Sequence, residues 1–311
     1  MKLKALSHYN GDMDTRFGDC IMISSSTQMI VYDCGHKKHA MAVSDYLRDH
    51  SLIEEIHIVV SHNDSDHTDG IIPLLDYLFD NGYKTTVYTS LYLKHVLKVE
   101  ELLDDGRRNK KSICDHILEL FDNIANIVEK AEEYDFPVYD ATEGTYVASA
   151  VIVGPSEEEF IEVVAKAVEE DGSGTVNGET VMNAASIQMK ITLGNQNKVL
   201  LCGDASPQFL KKLNMYDVIQ FPHHGQYEDG IEILKQLGEN SYHKAFLISD
   251  NTGSSDTSGG SKELVDYMKK ERYKNAYNTM HGVVTLPELS NKSSSSTKGV
   301  RLGAICNWDI N

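Results

Sequence analysis

The 311-residue chain has no CxxC pair, no apolar run of bilayer-spanning length, and few cations to set against its acids. Its five cysteines (Cys20, Cys34, Cys114, Cys202 and Cys306) are widely scattered and odd in number. That excludes a dense disulfide framework. Contexts such as Val199-Leu200-Leu201-Cys202 read as reduced core thiols of a cytoplasmic protein. Met1-Lys2-Leu3-Lys4 runs into polar Ser7-His8-Tyr9-Asn10 with no stretch of signal-peptide length, so no membrane association is expected. Lys and Arg total 29 against 47 Asp and Glu, for a formal net charge of -18. A surface this acidic is a poor generic partner for long nucleic acid or anionic membrane, because basic side chains drive phosphate binding. No internal repeat of short period is present.

What is there is the composition of an ordinary globular chain, 41% hydrophobic and 24% charged. The expectation is one domain over residues 1–311, with a mainly helical insertion around 91–180. Asp19–Ile23 and Met29–Asp33 read as a hairpin, and Gly35 as the residue that permits a sharp turn after Asp33-Cys34. A helix over Ala40–His50 and a buried strand over Glu55–Val60 follow, and another helix starts at Gly70 with Pro73 in its first turn. Apolar spacing predicts helices through Leu91–Lys130 and over Glu157–Glu170, with Asp171-Gly172-Ser173-Gly174 as a turn. Strands are expected over Ser186–Leu193, Lys198–Cys202, Val218–Phe221, Ala245–Ser249 and Val300–Cys306. Helices are expected over Gln208–Leu213 and Lys262–Lys270, and a Ser-rich surface loop over Ser290–Ser296.

The chemistry concentrates where strands end. Ser61-His62-Asn63-Asp64-Ser65-Asp66-His67 follows a buried strand and packs four potential metal ligands, His62, Asp64, Asp66 and His67, into six residues. Imidazole nitrogen and carboxylate oxygen suit zinc, manganese or iron, and a loop lets alternate side chains converge. A solvated Asn/Asp/Ser turn with incidental histidines has the same composition. Gly203-Asp204 ends a second apolar strand and Pro222-His223-His224-Gly225 a third. Alone, the first is an ordinary turn and the second could be one core and one surface histidine. Together they place ligands on one sheet edge, as rigid metal sites require.

These motifs, in this order, resemble the metallo-β-lactamase superfamily, whose fold is an αββα sandwich of two mixed β-sheets flanked by helices. The family's His-x-His-x-Asp-His signature is matched by His62, Asp64, Asp66 and His67, with Asp64 in place of the second histidine. Asp204 matches its bridging Asp, and His223 or His224 its late histidine. Asp33-Cys34-Gly35 resembles the early Asp-x-Gly, which makes Asp33 a supporting residue. A turn-capping Asp would look the same. Phe17-Gly18-Asp19-Cys20, Asn183 with Ser186, and His-His-Gly add a narrower likeness to the metallo-hydrolase domain of competence DNA-uptake proteins. Their later His-Pro motif is missing, with Ser258-Gly259-Gly260-Ser261 in its place.

The resemblance implies two divalent ions, Zn²⁺ or Mn²⁺, and a metal-activated water. His62, Asp64 and Asp204 would hold one ion; Asp66, His67, Asp204 and one of His223/His224 the other. Asp64 and Asp66 are the candidate catalytic carboxylates, and Asp33 and Asn183 stand behind the ligands. The superfamily's middle histidine is absent, since only His95 and His116 lie between His67 and Asp204, both in predicted helices. Carboxylate for imidazole shifts preference toward Mn²⁺ or Mg²⁺. The implied activity is that of a phosphodiesterase or nuclease. An amide, ester or lactone hydrolase, or a metal-retaining binding module, stays open. The -18 charge suits a nucleotide, a short strand, or a strand presented by a partner protein, unless Arg107-Arg108-Asn109-Lys110-Lys111 forms a basic patch. His281, before Gly282, is a weaker candidate at the pocket border, as is Asp250–Ser255.

Overall fold

A computed structural model describes residues 1–7, 17–103, 110–170, 175–176, 179–249 and 262–287. The expected features at 107–109, 171–174, 250–255, 258–261, 290–296 and 300–306 lie outside the described residues.

The first six strands build one sheet: β1 (Lys2–Ala5), β2 (Ile21–Ser24), β3 (Gln28–Tyr32), β4 (Glu55–Val59), β5 (Lys84–Thr89) and β6 (Val138–Asp140). The next two, β7 (Tyr146–Val147) and β8 (Ala150–Gly154), begin a second sheet. After a short hairpin, β9 (Thr175–Val176) and β10 (Glu179–Thr180), that sheet continues with β11 (Gln188–Thr192), β12 (Lys198–Leu201), β13 (Val218–Gln220), β14 (Ala245–Ile248) and β15 (Ala276–Asn278). Finally β16 (Val284–Leu286) returns to the first sheet beside β1. Both seven-stranded sheets are mixed. Strands β3 to β6 run parallel, as do β12 to β15.

Alternation along the strands explains the layers. In β3, Ile30 and Tyr32 face the core between the sheets, while Met29 and Val31 face the helices outside. In β12, Val199 and Leu201 enter the same central core and Leu200 the outer one. Strands buried on both faces read as continuous apolar runs, as these do. Helices α1 (Lys37–Asp49), α2 (Ser65–Thr68), α3 (Ile71–Asp80), α4 (Val96–Leu103), α5 (Lys110–Leu120), α6 (Asp122–Glu133) and α7 (Glu157–Glu169) precede the short α8 (Val181–Ala184). Leu74, Ile117, Ile124 and Phe160 from this group cover the first sheet. On the second sheet, α9 (Tyr227–Leu237) and α10 (Lys262–Lys270) do the same through Ile233, Leu237 and Leu264. The result is an αββα sandwich.

The stretch 91–180 carries α4 to α7, but it also supplies β6, β7 and β8 to the two sheets. The helix expected over Gln208–Leu213 is not one. Two 3-10 turns, Pro207–Phe209 and Leu213–Met215, replace it, because Leu210 is extended and Lys212 sits at φ 55. Cys20, Cys34 and Cys202 are buried free thiols and Cys114 is half-buried. Among the described residues, no helix is long and apolar enough to cross a membrane.

Candidate metal centre

Parallel strands deliver their C-terminal ends to one rim. There, β3 presents Asp33, β4 presents Ser61 and His62, β12 presents Asp204, and β13 presents His223 and His224. Crevices at such carboxyl ends are where sheets of this kind bind ligands. Past Ser61 the chain turns through His62–Asp64 into α2, where Thr68 Oγ1 donates to the Asp64 carbonyl at 2.9 Å. Two glycines make room for this loop. A Cβ on Gly18 would lie 1.6 Å from the Asp66 carbonyl oxygen, and one on Gly35 would lie 1.8 Å from it. Gly18 also has φ +65, whereas Gly35 serves close approach without the positive φ of a sharp turn.

Asn63 ties the loop to the helical stretch. The α6 N-terminus lacks a side-chain cap of its own, and Asn63 Oδ1 accepts from Ile124 N at 2.9 Å in its place. Asn123 Nδ2 donates to the Asn63 carbonyl at 2.7 Å.

Asp33 organises the candidate ligands from behind. This buried residue sits at φ 57, a left-handed conformation that a non-glycine residue holds at a cost of about 1–3 kcal/mol. Its Oδ1 accepts from Ser61 N at 2.7 Å, and its Oδ2 from Ser61 Oγ at 2.7 Å and His67 Nδ1 at 2.9 Å. The carboxylate can only accept, so the His67 proton is on Nδ1. Ser61 spends its one hydroxyl proton on Asp33 and therefore accepts from His62 Nδ1, 2.9 Å away. Both rings are thus turned with Nε2 toward Asp204. His62 Nε2 lies 3.6 Å from Asp204 Oδ2, and His67 Nε2 lies 3.3 Å from Asp204 Oδ1. Asp204 itself is set by Gly203 at φ 50 and by its own N–H, which donates to Ser186 Oγ at 3.3 Å.

Across the pocket, His224 Nε2 lies 3.1 Å from Asp66 Oδ2. His223 Nε2 approaches Asp204 Oδ2 at 4.0 Å, and Asp64 Oδ2 stands 3.9 Å from His62 Nε2 with its side chain 45% exposed. Both residues of the histidine pair hold left-handed φ, 49 and 53. That strain aims the two rings at one pocket.

Charges follow from this packing. Burial and the neighbouring His67 hold the His62 imidazolium below its ordinary range. Burial works against a charged His67 too, yet Asp204 and Asp33 outweigh it and keep that ring well above the ordinary value. His224 is likewise raised against its burial, by Asp19 and Asp204. Asp66 and Asp204 are lowered although burial raises them, Asp66 mainly by its hydrogen bond to His224 and Asp204 mainly by the charge on His67.

The donor set fits divalent metal. Buried His62 Nε2, His67 Nε2 and Asp204 Oδ1 make no hydrogen bond, although they face one another. Two ligand groups can be drawn within 4.8 Å, His62/His67/Asp204 and Asp66/His67/His224. His67 commits Nδ1 to Asp33 and has one nitrogen to give, so it serves only one of them. Two ions would therefore divide the donors with Asp204 between them. One side would have His62 with Asp64 and His223 near; the other would have Asp66, His67 and His224. A third group, Asp19/Asp33/His67, lies behind the ligands and includes the Asp33–His67 hydrogen bond.

The remaining candidates sit elsewhere. Asn183 is buried, but its Oδ1 accepts from Thr180, and only its carbonyl reaches toward Asp204 by way of Ser186 Oγ at 2.7 Å. His281 is exposed at the end of the 3-10 turn Thr279–His281 and joins none of these groups. His95 is buried between Asp140 at 3.2 Å and Glu157 at 3.1 Å and braces helix against strand. Sequence reasoning gave no role to Asp19, Ser61, Gln220 or Ser249, although all four contact ligands or their partners.

No protein-family model matches the chain, and no curated protein does. Among solved structures, similarity extends to the metallo-beta-lactamase fold protein YhfI from Bacillus subtilis. It is 12% identical, over 91% of this chain and 99% of that one, with a TM-score of 0.47. Human tRNase Z, short form, is 10% identical over 89% of this chain and 91% of its own, with a TM-score of 0.42. At such identities and scores these likenesses carry no conclusion about what this chain does.

Proposed function

We propose that the chain is a metal-dependent hydrolase and that phosphodiesters are its substrate class. The observation that carries the first part is the set of buried Nε2 atoms of His62 and His67 converging, without hydrogen bonds, on the Asp204 carboxylate. Each unpaired buried atom costs about 1–3 kcal/mol, and two such imidazole nitrogens aimed at one carboxylate are an arrangement that a bound cation would satisfy. His62, Asp64 and Asp204 would hold one ion and Asp66, His67, His224 and Asp204 the other. Divalent ions in such a pocket make bound water acidic and take up charge on an attacked phosphoryl or carbonyl oxygen.

The chain's own residues do the rest. Asp33 and Ser61 hold His62 and His67 in the tautomer that offers Nε2. Asp66 faces the pocket from the first turn of α2 and, as a carboxylate held low by His224, can orient a water by accepting its hydrogen bond. The site's acidic residues and the -18 net charge disfavour a grip on long polyanions. A nucleotide, a short single strand, or a strand delivered by a partner protein suits them. Asp64, where the resembling family carries histidine, makes the pocket oxygen-rich and supports Mn²⁺ beside Zn²⁺.

The test is a substrate panel run on the full chain with each ion in turn. It contains bis-p-nitrophenyl phosphate, short single-stranded DNA and RNA, an acyl lactone and nitrocefin. Cleavage of the phosphodiesters that disappears in Asp66→Ala supports the reading. Turnover of the lactone or nitrocefin alone replaces its second half, and no turnover with any ion removes the enzyme reading.

A further inference from the structure

Asp19 leads into β2 of the first sheet, yet its buried carboxylate is committed to the second. Oδ1 lies 3.0 Å from His224 Nδ1, and Oδ2 accepts from Gln220 Nε2 at 2.6 Å and from Ser249 Oγ at 3.0 Å. The orientation of Gln220 is fixed because Cys202 N donates to its Oε1 at 3.1 Å, leaving the amide nitrogen to face Asp19. That nitrogen also donates to Ser249 Oγ at 3.1 Å, so the hydroxyl proton is free to point at Asp19. His224 Nδ1 has a second acceptor in the Ser249 carbonyl at 3.2 Å. Everything facing Nδ1 accepts; the proton is therefore on Nδ1, and Nε2 is turned to Asp66 and the pocket.

The arrangement repeats that of Asp33 and His67 on the other sheet. We infer that Asp19 is a positioning residue that holds the His224 ring with Nε2 toward the metal pocket. Its backbone reinforces this, since Asp19 N donates to the Asp66 carbonyl at 2.9 Å and its own carbonyl accepts from Gly35 N at 2.8 Å. One residue thus sets two ligands of the same candidate ion, His224 through its side chain and Asp66 through its main chain. The inference rests on the metal reading above and names what keeps its second half in place. Outer partners of ligating histidines generally carry about 10–100-fold of metal affinity.

The informative variant exchanges the two side chains, Asp19→Asn with Gln220→Glu. Every donor still meets an acceptor. The amide introduced just ahead of β2 turns its nitrogen to the carboxylate introduced on β13 and to Ser249, and its oxygen to His224. Cys202 N still meets an oxygen. Charge is conserved, and only the carboxylate against Nδ1 is lost. Zn²⁺ and Mn²⁺ affinities are read by calorimetry, and the imidazole protons of zinc-loaded protein by ¹⁵N-edited NMR. The expected result is about 10–100-fold weaker binding of one ion with thermal unfolding little changed. The Nδ1–H resonance, far downfield in the wild type, should move upfield. Affinities and ring resonance unchanged in the exchanged variant would overturn the inference alone. If the variant fails to fold, the wild-type spectrum decides: a His224 proton on Nε2 overturns the inference, and one on Nδ1 in a downfield hydrogen bond supports it. A wild-type chain that binds neither ion overturns the metal reading, and the inference with it.

Discussion

Replacing Asp33 by Asn removes one atom's worth of chemistry from the most constrained point of the site. The carboxylate accepts three hydrogen bonds in a fully buried setting, two on Oδ2 and one on Oδ1. An amide has a single oxygen. Placed at Oδ2 it keeps the Ser61 hydroxyl and the His67 ring, but its NH₂ then faces the Ser61 N–H. Stranding that buried donor costs about 1–3 kcal/mol, and downgrading two charge-assisted bonds to neutral ones adds about 1 kcal/mol each. Losing a negative charge also relieves repulsion from Asp19, whose carboxylate lies within 4.8 Å. Coulomb energy falls with distance, and the lost attraction to a protonated His67 at 2.9 Å is the larger effect. The net expectation is a loss of about 3–5 kcal/mol in urea unfolding of chelator-stripped protein, and about 10–100-fold weaker Mn²⁺ or Zn²⁺ binding by calorimetry. A stability change under about 0.5 kcal/mol together with unaltered metal affinity would refute the role given to Asp33.

Gly18→Ala should destabilise the chain by about 2–4 kcal/mol, because its Cβ meets the Asp66 carbonyl and its φ is left-handed; chemical denaturation checks this. Asn63→Ala should cost about 1 kcal/mol by uncapping α6 and raise amide exchange at Ile124, read by hydrogen exchange. Asp140 has its pKa lowered: burial raises it, but the bonds from His95, Leu91 N and Lys94 prevail. A depressed carboxyl contributes stability that is complete above the unfolded value near 3.8 and is lost as pH falls through the folded one. Urea midpoints of wild type and Asp140→Asn should therefore differ at pH 6 and converge only as pH falls through the folded value, itself below 3.8, and a gap independent of pH would contradict the sign.

Much of the rim was legible because the loops that carry the candidate ligands begin where apolar strands end. His62, Asp204 and the pair His223/His224 could be placed at a shared edge from Val59-Val60, Leu200-Leu201 and Ile219-Gln220-Phe221 alone, with the choice within the pair left open. Their supports were not. Asp19 meets Gln220 and Ser249 across 201 and 230 residues of chain, and nothing local to Asp19 announces those partners. Gln220 reads as one more strand residue, although it is the polar pivot between the two sheets. The missing helix at Gln208–Leu213 had suitable apolar spacing, and backbone conformation at Leu210 and Lys212 overrode it. Gly35 was assigned a turn for its freedom in φ, whereas the fold uses its missing side chain.

The most direct test of the account is the metal stoichiometry of chelator-stripped full-length chain, titrated with Mn²⁺ and Zn²⁺ beside Asp204→Ala. Asp204 stands between the two halves of the pocket, so the wild type should bind two ions and the variant should lose affinity for both. A wild type with no saturable site, or a variant that binds like it, would contradict the account.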